Sequence, residues 1–143
     1  MSADTYLNWV IEKTPTAWWH DSADPIELQQ GLDRGAIGVT TNPFLSSVAL
    51  AKNKSAWAAE VAAVLAKNFD AEQKAEELMR NVVTRAAEMY RPHHDRTGGK
   101  QGYVCAQVNP SRAGEREAML AMARRFHAWA PNIAVKLPAV SAG

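Results

Sequence analysis

The chain has 143 residues, 47% of them hydrophobic and 22% charged, with a formal net charge of +1, which fits one globular domain with a single core. Scattered basic residues and a near-neutral charge exclude a strong field for nucleic acid or an anionic membrane, and no run approaches the ~18 apolar residues of a membrane span. A lone cysteine, Cys105, excludes an intrachain disulfide and suits a reducing cytoplasm, while Met1 to Thr14, with Asp4 and Glu12 and no basic segment before a long apolar run, does not read as a signal peptide.

Residues 3–13 place Tyr6, Trp9, Val10 and Lys13 near helical spacing and predict a short amphipathic helix ended by Pro15. Residues 16–20 (TAWWH) are aromatic and predict a first strand. Asp24 then suits an N-cap and Pro25 the first helical position. That helix runs to about Asp33, with Gly35 just past its end. Residues 36–40 (AIGVT) predict a second strand, broken by the turn signal Thr41-Asn42-Pro43. Residues 46–67 read as one helix capped by Ser46 or Ser47. Residues 70–90 give the strongest helical pattern: Asp70 can cap, Gln73 sits three residues on, and Leu78, Val82, Ala86 and Met89 share a face. Residues 91–102 read as a polar loop, 103–108 as a third strand, Glu115 to Ala130 as a helix, and 133–138 as a fourth strand after Pro131-Asn132.

The order is a helix followed by β-α-β-αα-β-α-β, which argues for a parallel α/β sheet of βαβ units. Parallel strands normally carry helical cover, and the fourth strand lies almost at the last residue, so the pattern reads as an unfinished α/β fold. No internal repeat or low-complexity segment stands out.

In parallel α/β folds, ligands bind at the C-terminal ends of the strands. Strand one ends in Asp21, strand two in Thr40-Thr41-Asn42, strand three carries Gln107, and strand four carries Lys136 in an apolar run. Period-two alternation puts Lys136 on one face with Ala134. Burial there would favour the neutral amine, which can attack a ketone and form an imine. The alternative is a strand-end lysine whose head reaches water. Asp21 can take a proton from a substrate hydroxyl, or it can serve as an Asx turn or helix cap. Thr40 and Asn42 can bond substrate hydroxyls or orient the lysine, or simply shape the turn before Pro43. Gln107 can position a water but is not a base. His93-His94-Asp95 lacks the spacing of a metal site and reads as solvated loop. Gly98-Gly99-Lys100 lacks the spacing of a phosphate loop. Cys105 reads as a small packing residue. Of Trp18 and Trp19, one must face outward from its strand.

Three segments, Gly35-Ala-Ile-Gly-Val-Thr-Thr-Asn-Pro43, Val104-Cys-Ala-Gln-Val-Asn-Pro110 and Asn132-Ile-Ala-Val-Lys-Leu-Pro138, together resemble the transaldolase family. The match is to the family's N-terminal half and spreads over nearly the whole chain. The resemblance implies a TIM (β/α)8 barrel with about four strands supplied here. It implies Lys136 as the Schiff-base lysine, Asp21 as the strand-one acid/base, and Thr40 and Asn42 lining the site for the dihydroxyacetone moiety. It implies transfer of a dihydroxyacetone unit from a ketose phosphate to an aldose phosphate, as in the pentose phosphate pathway, with no metal or cofactor. Gln107 stands where pentose-phosphate transaldolases carry glutamate and resembles the fructose-6-phosphate aldolase branch, which releases dihydroxyacetone. The long 44–101 segment is closer to the larger transaldolases, and a transaldolase for a sulfo-sugar is a further alternative. Strands five to eight and the serine and arginine that hold the substrate phosphate have no counterpart here. They would come from a missing C-terminal half or a second chain. Otherwise the half-barrel is a non-catalytic module that assembles with itself, as a homo-oligomer, or with a partner. Another class I aldolase, such as one for deoxyribose phosphate, shares the lysine chemistry, but the Thr-Thr-Asn-Pro segment speaks against it.

Overall fold

The computed structural model of the chain describes residues 5–143; residues 3 and 4 of the first expected helix lie outside the described residues. Helix α1 spans Thr5–Lys13. It is followed by β1 (Trp19–Asp21), α2 (Pro25–Asp33), β2 (Gly38–Thr40), α3 (Pro43–Lys52), α4 (Ala58–Leu65) and α5 (Ala71–Arg96). Strand β3 (Tyr103–Gln107), α6 (Arg116–His127) and β4 (Ile133–Lys136) complete the order. The four strands form one sheet in the order β1-β2-β3-β4, every pair parallel. Each parallel step needs a crossover, and the helices supply it, so the α/β order read from the sequence is the order observed.

Apolar alternation decides which face of the sheet carries the core. Val39, Val104, Ala106, Val108 and Ile133 are buried against Leu28 of α2, Met79, Val83, Ala86, Ala87 and Tyr90 of α5, and Met119, Met122 and Phe126 of α6. A smaller core joins Ala23, Ala49, Trp57 and Val82. Helix α5 therefore contributes adjacent residues, Val82 and Val83, to two different cores. Its buried stripe is Met79, Val82, Val83, Ala86, Ala87 and Tyr90, whereas Leu78 and Met89 are only half-buried.

The local signals act as expected at most helix ends. Asp24 Oδ1 accepts from the N–H groups of Ile26 and Glu27 at 3.0 and 3.1 Å, and Pro25 opens α2. At the other end of α2, Gly35 N donates to Leu32 O and Ala36 N to Gly31 O, with Gly35 at φ +85°. That pair of bonds closes a Schellman cap, whose left-handed residue is glycine because it has no Cβ to clash. Asp70 and Gln73 form a full capping box on α5.

Two expectations are corrected. The single helix over 46–67 is instead α3, a 3-10 turn at Lys54–Trp57, and α4. Its cap is Asn42, whose Oδ1 accepts from Leu45 N at 2.8 Å, and Ser46 and Ser47 lie inside the helix. Asn53 leaves the helical region (φ −132°, ψ 67°) and its side chain accepts from Ala56 N, which starts the 3-10 turn. The polar loop over 91–102 is the second correction, because α5 continues through Pro92 to Arg96. Proline removes one N–H from the ladder. Here Pro92 and Glu88, whose carbonyl loses that donor, are both exposed. Arg96 stands in the last turn, where positive charge suits the helix dipole.

Candidate active site

The face of the sheet away from the helices is assembled by register. In β3, Val104 and Ala106 are buried in the core, while Tyr103, Cys105 and Gln107 are half-buried on the opposite side. Pairing carries that face across the strands: Trp19, Gly38 and Tyr103 share one row, and Asp21, Thr40, Cys105 and Ala134 the next. Gln107 and Lys136 pair one step further toward the C-terminal ends. Lys136, Asp21, Thr40 and Gln107 thus lie on one face, at the end of the strands where such folds bind ligands.

The floor of this face is aromatic. A Cβ on Gly38 would stand 2.6 Å from the Trp19 ring, so glycine is required for the indole to lie across β2. Trp18 instead packs against the main core, edge-on to His20 at 6.0 Å. The two neighbouring tryptophans are split between the faces of the sheet, as alternation demands.

Asp21 is exposed, and Thr40 Oγ1 donates to its Oδ1 at 2.5 Å. The turn chemistry of Asp21-Ser22-Ala23-Asp24-Pro25 is handled by its other members. Asp24 caps α2, Ser22 Oγ accepts from Asp24 N at 3.1 Å, and it donates to Glu27 at 2.6 Å. Lys52 Nζ lies 2.8 Å from Glu27 and 3.5 Å from Asp24. Hydrogen bonds from Lys52, then from Ser22, hold the Glu27 carboxyl below its ordinary range. The Asp21 side chain is therefore not the cap that the sequence left open as its alternative.

Lys136 is half-buried, and among the described residues no carboxylate comes within 4.0 Å of it. Its own carbonyl accepts from Val108 N at 3.2 Å, which fixes the end of β4 against β3. Burial pushes the Cys105 thiol up, and the Lys136 charge opposes that more weakly. A thiol held protonated is a poor nucleophile, which fits Cys105 as packing within this face. β1 and β4 are three strand spacings apart, about 14 Å along the sheet. Among the described residues Asp21 and Lys136 form no ion pair within 4.0 Å, and Thr40 and Cys105 stand between their strands in the register.

Asn42 stands just past β2, but its carbonyl oxygen is committed to capping α3, which leaves its NH2 for other partners. Thr41, which the sequence reading did not single out, is fully buried and donates through Oγ1 to Cys105 O at 2.6 Å. It pins the end of β2 to β3, and only the pairing register reveals that role. The histidines are held locally: His93 Nε2 is 2.9 Å from Gln101 Oε1, and the His94 ring meets Tyr103 edge-on at 5.0 Å. Among the described residues no three metal-ligating side chains cluster. Two clefts of about 590 Å³ each open in the helix layer, around Leu50, Met79 and Arg112 and between α5 and α6. Neither is lined by Lys136 or Asp21. No helix of the described residues is long and apolar enough to cross a membrane.

The family model described as transaldolase/fructose-6-phosphate aldolase matches residues 18–143. A transaldolase of Neisseria gonorrhoeae is 36% identical over 119 residues, covering 82% of this chain and 34% of that protein. Transaldolase 1 of Streptomyces avermitilis is 32% identical over 110 residues, covering 75% of this chain and 29% of that protein. Transaldolase 2 of Streptomyces coelicolor is 33% identical over 110 residues, with the same shares. The chain spans about a third of the length of the curated relatives it matches. Four parallel strands in one open sheet, helices on one face, are consistent with part of a (β/α)8 barrel, and the chain belongs to the transaldolase/fructose-6-phosphate aldolase family.

Proposed function

We propose that this chain carries the Schiff-base half of a transaldolase, with Lys136 as the nucleophile and Asp21 as the acid/base. The neutral Lys136 amine adds to the keto carbon of a ketose phosphate, and loss of water gives an imine. Asp21 then takes the proton of the hydroxyl carried by the far carbon of the bond to be broken. That oxygen's electrons form the aldehyde, the carbon–carbon bond breaks, and its electron pair flows into the protonated imine as an enamine. An aldose phosphate leaves, and a second one accepts the three-carbon unit by the reverse steps. The observation that carries this reading is the common face of Lys136, Asp21, Thr40 and Gln107 at the strand ends. Asn42 and Thr40 border the same site. A free, half-buried Cys105 fits a reducing cytoplasm.

Borohydride treatment with dihydroxyacetone or fructose 6-phosphate is expected to add mass to the peptide containing Lys136. An equal increase in Lys136→Ala, or none in the intact protein, refutes the assignment. A second reading, release of free dihydroxyacetone by an aldolase, is favoured by Gln107 beside Lys136 in the register. The two separate on one measurement: a transferase turns over only with an acceptor aldose phosphate present, and an aldolase turns over without it.

A further inference from the structure

We infer that Thr40 is a positioning residue for Asp21 rather than a group that donates to the substrate, an inference that rests on the Schiff-base reading above. Thr40 Oγ1 donates to Asp21 Oδ1 at 2.5 Å. A hydroxyl has one proton to give. Once it is spent on Asp21, Thr40 has none for a sugar hydroxyl. The contact occupies one oxygen of the Asp21 carboxyl, Oδ1. It also fixes the rotation of that carboxylate and leaves Oδ2 to receive the substrate proton.

The direction of control follows from where the two residues stand. Asp21 is the last residue of the three-residue β1 and is exposed, and Asp24 rather than Asp21 caps α2. Thr40 lies on β2, paired on both sides, with Asp21 on one side and Cys105 on the other. Its β-branched side chain is stiff at χ1, and the next residue, Thr41, is buried and bonded to Cys105 O. Thr40 is the more anchored member of the pair, and it orients the exposed Asp21 side chain. In the cleavage step the proton moves from the substrate hydroxyl to Asp21, and Thr40 keeps its own.

The test uses the intact protein with Thr40→Val, which removes the hydroxyl at nearly constant shape, and Thr40→Ser, which keeps it. Imine trapping with dihydroxyacetone needs no carbon–carbon cleavage, so the trapped adduct on Lys136 should form in both variants to within about twofold of the unaltered protein. Cleavage of fructose 6-phosphate should lose at least ~10-fold in kcat in Thr40→Val, a part of what a positioned base contributes, with KM within about twofold. Thr40→Ser should recover most of that loss. In an Asp21→Asn background, Thr40→Val should cost nothing further, since the two act as one unit. A raised KM at unchanged kcat would make Thr40 a substrate-binding group and overturn the inference. So would loss of trapping in Thr40→Val alone, full activity in Thr40→Val, or additive losses in the double variant. Absence of an adduct in the unaltered protein overturns the Schiff-base reading itself and this inference with it, so the two failures are told apart.

Discussion

Asp24 Oδ1 accepts two backbone N–H groups at the start of α2, and Asp24 is 6% exposed. Asp21, three residues earlier, accepts only from Thr40 among the described residues and is exposed. Their replacements should therefore separate. Asp24→Ala removes a cap and is expected to cost ~1–2 kcal/mol of stability. Asp21→Ala is expected to change stability by no more than ~0.5 kcal/mol, as for a surface position. Urea denaturation of both variants reads this directly, and equal losses would mean that Asp21 also holds the turn. At this scale much of the candidate site was legible. Period-two alternation is enough to put Lys136 and Ala134 on one face, and the strand ends nominate Asp21, Thr40 and Gln107. The role of Asn42 was only half legible, because Asn-Pro is both a turn signal and a cap followed by a first helical proline. The contact of Trp19 with Gly38 and the anchoring by Thr41 depend on register between strands, which neither segment encodes alone.

Helices α3 and α4 show where pattern alone misleads. Residues 46–67 are rich in alanine, leucine, valine and lysine, so propensity favours one helix throughout. The break at Asn53 turns the chain so that Trp57 reaches the pocket formed with Ala23, Ala49 and Val82, where it is 1% exposed. Arg85 of α5 lies over its ring, 4.6 Å from the centroid. Burial of one indole outweighs the modest cost of interrupting a helix, a few backbone bonds offset by the Asn53 cap. Trp57→Ala should accordingly cost ~3–5 kcal/mol. Because that core attaches α3 and the 3-10 turn to α5, the loss should also show as faster amide exchange across 43–65 than in the sheet. Uniform acceleration over all elements would instead mean that the two cores unfold as one. Helix α5 gives the complementary lesson. Pro92 looks like a stop, yet it falls on the exposed side, where the unpaired carbonyl of Glu88 can meet water.

At the scale of the whole molecule, ion pairs tie α5 to the elements around it. Arg112, beyond β3, pairs with Glu72; Arg125 of α6 pairs with Glu76; and Lys67, after α4, pairs with Glu77, while a separate pair, Lys52 with Glu27, joins α3 to α2. These partners hold the carboxyls of Glu27, Glu72 and Glu77 below their ordinary value of 4.5, chiefly by hydrogen bonds from Lys52, Arg112 and Lys67. Asp95 is held below its ordinary 3.8 mainly by Arg91. A carboxyl with a lowered folded-state value binds its proton more readily in the unfolded chain. Its contribution is then complete above the unfolded value and is lost as pH falls through the folded one. Stability should therefore be level from neutrality down to about pH 5 and fall steadily below it. The Lys52–Glu27 and Arg112–Glu72 pairs are exposed and Glu77 is only partly buried, so each effect is small and screened by salt. Urea midpoints between pH 6 and pH 3 should drop less steeply in 0.5 M salt, and Lys67→Met should flatten part of the decline by removing the partner of Glu77. A midpoint that holds constant down to pH 3, or a decline indifferent to both salt and Lys67→Met, would mean that these pairs do not carry the acid limb. The helix layer would then be attached to α5 by its apolar contacts alone.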